Sequence, residues 1–128
     1  MLPFAIELKP GLPITEQVIF AVKKAVVAGR LKPGTPFPSV RALSQELRIN
    51  PNTAHKITAT LVAEGVLITT PAVGSVVAAP GDADHRAKAA LLDDELERLV
   101  VEAKNLGLGL AEVQDELSAH WRRLNKKS

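Results

Sequence analysis

Apolar residues recur at helical spacing three times in the first half of the chain. Ile14, Val18, Val22, Ala25 and Val26 predict a helix from about 14 to 28, stopped at Gly29. Val40, Leu43 and Leu47 predict a short helix over 40–47 with Ser39 as its N-cap. Asn50-Pro51 opens a third helix, because Asn caps and Pro suits a first position whose N–H has no intrahelical partner. That helix runs to about Glu64 and stops at Gly65, and Arg48-Ile49 turn the chain between the second and third helices. Two β-rich runs, 66–70 and 75–78, flank Pro71 to Gly74 and read as a hairpin. Residues 30–38 carry three prolines and a glycine and read as a loop. Phe4, Ile6 and Leu8 alternate, so a short strand is expected within residues 1–8.

The remainder is helical. Residues 80–84 read as a linker, followed by Leu92, Leu96, Leu99, Ala103 and Leu106 in steps of four and three. Gly107-Leu108-Gly109 interrupts this seam. Gly109 then caps a last helix, with Glu112 at its third position and Leu108 packing back on Val113. Leu110, Val113, Leu117, Trp121 and Leu124 make a second seam. The organisation expected is a head over 1–79, a linker over 80–84 and a helical segment over 85–128.

Two short helices joined by a turn and followed by a hairpin make a winged helix-turn-helix. The fold class expected is therefore α+β, a winged helix-turn-helix followed by a short two-helix dimerisation segment. The second helix of such a unit is narrow enough to enter a major groove, N-terminal end leading. On helix 51–64, Ala54, Ile57, Thr58 and Leu61 share one face and should pack inward. Asn52, Lys56, Ala59 and Ala63 lie opposite, flanked by Thr53 and His55. The Asn52 amide offers a donor and an acceptor side by side, which matches adenine. Lys56 suits a guanine edge or a phosphate, and Arg41 suits base edges, the backbone or an internal pair with Glu46. His55 is a candidate contact in either charge state. Ser39, Asn50, Thr53 and the N–H groups at both helix starts suit phosphate oxygens, although Thr53 equally suits stabilising its own helix start.

Charge sharpens this picture once it is divided. The net charge is +2, but residues 1–80 hold eight Lys/Arg against four Asp/Glu, and residues 81–128 hold eight against ten. A basic front and a mildly acidic back fit a polyanion meeting the front alone. The chain has no cysteine, which excludes disulfides and thiolate metal or redox sites. No apolar run approaches the ~20 residues that cross a bilayer, and residues 1–10 lack the features of a signal peptide. A cytoplasmic protein without membrane partners is expected. His85 and His120, with Asp82, Asp84 and Asp93, lack the paired spacing of metal ligands, so neither metal nor cofactor is expected. With no paired catalytic carboxylates, nucleophile motif or phosphate-cradling loop, the chain does not read as an enzyme.

Gln17, GRLKPG at 29–34, FPSVRAL at 37–43, Leu47-x-Ile49, NPNTAHK at 50–56 and LVAEGVL at 61–67 agree in order and spacing with one group of regulators. The sequence resembles the GntR family of bacterial regulators over residues 12–79. Its Asn-Pro-Asn-Thr helix start, short tail and break after 103–107 resemble the YtrA subfamily. The resemblance implies a homodimeric repressor on a two-fold symmetric double-stranded operator, autoregulating its own operon, often beside membrane transporter genes. Thr15 and Thr58 stand where the family often carries aromatics, so core packing should differ. The family's wing is usually basic. Here it is TPAVGSVV at 70–77, with no positive charge. Wing contacts would have to use Thr70, the backbone near Gly74, or Ser75. That uncharged wing is the feature favouring an alternative, a protein-interaction module that uses the fold without DNA.

The tail seams are expected to form the dimer interface, through Leu92, Leu96, Leu99, Ala103, Leu106, Leu110, Val113, Leu117 and Trp121, with Trp121 as an anchor. The competing reading packs both helices onto the head. The tail is too short for a separate ligand domain, so any small-molecule effector, unidentified, would act at the dimer seam. The basic cluster from Arg122 to Lys127 reads as a solvated helix end.

Overall fold

The computed structural model describes residues 2–72, 74–79 and 85–125. It divides into two compact units, Met1–Asp82 and Ala83–Ser128. The expected linker at 80–84 lies outside the described residues, as do Val73 and the last three residues.

In the first unit the order is α1 (Ile14–Val27), α2 (Val40–Leu47), α3 (Pro51–Ala63), β1 (Leu67–Thr70) and β2 (Gly74–Val77). The core sits where the three helices meet: Val18, Val22, Leu43, Ala54, Ile57 and Leu61 are wholly buried. Burying a Val, Leu or Ile side chain stabilises by about 1.5–3 kcal/mol, so this apolar face fixes the rotation of α3. Thr58 turns only half inward, and its hydroxyl is enclosed without a hydrogen-bond partner.

Helix ends follow the sequence. Ser39 Oγ accepts from the Ala42 N–H at 3.1 Å, and Asn50 Oδ1 accepts from the Asn52 N–H at 2.7 Å. At the far end of α3, Gly65 takes φ 79° and lets the Val66 N–H reach back to the Leu61 carbonyl at 2.9 Å. α2 closes with the same five-residue reach, Ile49 N–H to the Ser44 carbonyl at 3.0 Å. There the left-handed position is filled by Arg48, at φ 56°. This tight, glycine-free turn is what brings α3 directly after α2.

β1 and β2 pair antiparallel, with Leu67 opposite Val77 and Thr70 opposite Gly74. The loop before α2 completes the wing. Gly34 N–H donates to the Val77 carbonyl, Phe37 N–H donates to the Ser75 carbonyl (both 2.8 Å), and Thr35 accepts from the Val77 N–H at 2.9 Å. The proline-rich segment is thus a third, irregular edge on β2.

Among the described residues 2–8 the expected strand is not formed. The outer edge of β2 is already taken by residues 34–37, and the arm is held by side chains instead. Phe4 is buried and stacks on Phe37, with ring centroids 6.0 Å apart and planes 1° from parallel. Gln17 on α1 then takes the place of a neighbouring strand. Its Oε1 accepts from the Lys9 N–H at 2.8 Å, and its Nε2 donates to the carbonyls of Lys9 (2.9 Å) and Leu12 (3.0 Å).

The second unit contains α4 (His85–Ala89), a π-helical stretch Ala90–Glu95, α5 (Leu96–Asn105) and α6 (Leu110–Asn125). A π turn takes up one residue more than an α turn, so Leu91 and Leu92 share the approach to a seam that the sequence reading gave to Leu92 alone. At the elbow Gly107 takes φ 80°, and the Leu108 N–H donates to the Ala103 carbonyl at 2.9 Å. Glu112 Oε1 accepts from the Gly109 N–H at 3.0 Å, the capping arrangement expected at the start of α6.

In the wing turn, Ala72 adopts φ 68° directly after Pro71. A left-handed alanine is strained, and glycine is the residue suited to it. Replacing Ala72 with Gly should raise unfolding stability by up to about 1 kcal/mol, less the extra entropy of the unfolded glycine chain. The same exchange at Ala59, inside α3, should lower stability by about 0.5–1 kcal/mol. Urea unfolding of both variants checks the opposite signs.

Candidate nucleic-acid interface

The burial of Ala54, Ile57 and Leu61 turns the opposite side of α3 outward. Asn52, His55, Lys56, Ala59 and Ala63 are exposed there, and Thr53 is half-buried at the edge. All the polar members lie in the N-terminal half of the helix. The small Ala59 leaves room for close approach of a ligand surface just beyond them.

Both helix starts present polar groups. Ser39 and Asn50 are exposed, and each spends one acceptor on its own cap. The Ser39 hydroxyl hydrogen and the Asn50 amide hydrogens can still donate outward. The Arg41 side chain is exposed on the first turn of α2. In the wing, Gly74 is exposed and Thr70 and Ser75 are half-buried. The Ser75 carbonyl is committed to Phe37 N–H, which leaves its side chain as the group to offer.

One cation was passed over in reading the sequence for contacts. Arg48, treated there only as a turn residue, is exposed between α2 and α3. Its signal is electrostatic: from Leu47 to Ala63 there is no Asp or Glu, while Arg48, His55 and Lys56 all fall in that stretch. A carboxylate-free span over the exposed helix favours an anionic surface.

The seam residues behave differently. Leu92, Leu96, Leu99, Leu106, Leu110, Leu117 and Trp121 are all exposed, from 42% for Leu96 to 74% for Leu110. Val113 is half-buried, whereas Ala103 is buried at the elbow within its own unit. Among the described residues no three His, Asp or Glu come together to hold a metal ion. Asp82 and Asp84 lie outside those residues. Among the described residues no helix is long and apolar enough to cross a membrane.

A helix-turn-helix with its second helix bared on one face, followed by a two-stranded wing, defines a winged-helix DNA-binding regulator. The chain belongs to the gntR family of bacterial regulatory proteins, whose profile matches residues 14–77. It is 30% identical over 118 residues to the HTH-type transcriptional repressor YtrA of Bacillus subtilis (strain 168), covering 89% of this chain and 91% of that one. Its fold is similar to a structure described as a transcriptional antiterminator from Listeria monocytogenes EGD-e. The TM-score is 0.83 at 26% identity, over 98% of this chain and 95% of that one. The fold also matches YtrA from Sulfolobus acidocaldarius, a GntR-family transcription factor, with a TM-score of 0.56 at 24% identity, over 95% and 99% of the two chains. The family and fold implied by the sequence motifs are those found.

The caps can be tested apart from binding. Asn50→Ala removes the acceptor for the Asn52 N–H and should cost about 0.5–2 kcal/mol of stability. Denaturant unfolding without DNA checks this; an unchanged midpoint would show that Asn50 contributes nothing to the start of α3.

Proposed function

We propose that the protein is a cytoplasmic repressor that binds, as a homodimer, a two-fold symmetric operator in double-stranded DNA. The observation that carries this reading is the bared N-terminal half of α3, polar, carboxylate-free and set opposite a wholly buried face. In this reading Asn52 reads adenine, Lys56 takes a guanine edge or a phosphate, and His55 lies beside them. Ser39, Arg41, Asn50, Thr53 and Arg48 hold the backbone. Thr70, Gly74 and Ser75 touch it from the wing without charge. A repressor role is supported by the name of the Bacillus relative, and blocking polymerase access would be enough to produce it. The exposed seams of the second unit supply the surface for a second copy, and a two-fold protein reads half-sites about one turn, ~34 Å, apart.

The test is binding to a duplex selected by the protein from a random pool, compared with an unselected duplex. If each head neutralises about three to four phosphates, log affinity should fall with log salt at a slope of roughly −5 to −7. Asn52→Ala should relax the preference at one base pair by about 1–3 kcal/mol. Arg48→Gly should leave base preference unchanged and reduce the salt slope by about one per head. The same variant should be more stable to urea by up to about 1 kcal/mol, because glycine suits the left-handed turn. Failure to bind any duplex, even at low salt, would instead support the uncharged wing as part of a protein-binding module.

A further inference from the structure

The second unit leaves nearly all its side chains in solvent. From Arg86 to Arg123 only Ala103 is buried, and only Val113 and Ala119 are half-buried. Its apolar residues are too many for a solvated surface, Trp121 being 69% exposed and Leu110 74%. The pattern along α6 identifies what covers them. Leu117 stands at the middle of the seam. Leu110 and Leu124 lie seven residues to either side, and Val113 and Trp121 four residues to either side. The charges are opposed about the same point: Glu112, Asp115 and Glu116 precede Leu117, whereas Arg122 and Arg123 follow it. A helix whose apolar spacing is symmetric and whose charge is antisymmetric about one residue complements an inverted copy of itself.

We propose that α6 pairs antiparallel with α6 of a second copy across a two-fold axis at Leu117. This rests on the homodimer reading above and gives that dimer its register. At about 3.6 residues per turn, Glu112, Glu116, His120 and Arg123 fall along one flank of the apolar face. A two-fold axis between antiparallel helices sets like flanks side by side. Glu112 of one copy therefore meets Arg123 of the other, and Glu116 meets His120, twice over. Arg123 Nη2 already donates to His120 Nδ1 at 3.0 Å, which keeps both groups together on that flank. The same two carboxylates, with Glu102 and His120, rim a groove of about 410 Å³ between α5 and α6 whose apolar walls include Leu99, Leu106 and Val113. The groove's acidic rim thus lies where the basic half of the incoming helix arrives. On the other flank Trp121 comes to rest against Leu110 of the second copy. The opposed helix dipoles add to the attraction.

The chain has no cysteine, so single-cysteine variants report the register directly. In the full chain under mild oxidation, Leu117→Cys should form a disulfide-linked dimer in high yield, while Asp115→Cys, on the far side of α6, should not. A second arm uses charge. Glu116→Arg and His120→Glu, which face each other across the axis, should each weaken dimerisation by about tenfold, because every change is felt twice. The double variant should recover to within about threefold of the parent. A stable dimer by sedimentation in which Leu117→Cys does not cross-link, and the charge exchange does not rescue, would overturn this register and leave the dimer standing. A monomer at every concentration tested would overturn both.

Discussion

The structure depends on one packing contact, that of α3 on α1 and α2. Ala54, Ile57 and Leu61 are enclosed against Val18, Val22 and Leu43, and none of the six retains any exposure. Because a helix has one rotation, burying those three residues decides what the opposite face shows. The exposed polar face of α3 is thus a consequence of the core. Asn52, His55 and Lys56 need no contacts of their own to be presented; they are the residues left over when the apolar stripe is satisfied. The turn at Arg48 and the cap at Asn50 set where α3 begins, and so which end of it leads.

The two units solve the problem of apolar surface differently. The first closes its core within one chain, using three helices, a small wing and an N-terminal arm fastened by Phe4 and Gln17. The second has two slender helical arms and nothing to lay them on in its own unit. Its leucines stay in solvent, and only the elbow around Ala103 is filled. One unit presents a polar face shaped by a finished core, and the other an exposed apolar face.

Much of the first unit was legible in the sequence because its signals are local. Ser39, Asn50-Pro51 and Gly65 mark helix ends by side-chain chemistry and backbone freedom, and all three act as read. The N-terminal arm was misread because alternation of Phe4, Ile6 and Leu8 says only that one side is apolar. Whether a strand forms depends on a free sheet edge, and residues 34–37 had taken it. Arg48 was undervalued because a left-handed arginine carries no local signature, and its place in a carboxylate-free span emerges only when charges are read across both helices. The π-helical stretch at Ala90–Glu95 was illegible because apolar steps of three and four tolerate one extra residue per turn. The seams were legible as apolar stripes, and they stand exposed along the second unit.

The most direct test of the central claim is chemical-shift mapping of the isotopically labelled protein with a duplex it has itself selected. The account predicts that the largest backbone shifts fall between Asn50 and Ala59, with smaller ones at Ser39–Arg41 and the wing, and that the seam residues of α6 stay in place. Large shifts confined to α1 or the second unit, with α3 unmoved, would contradict it.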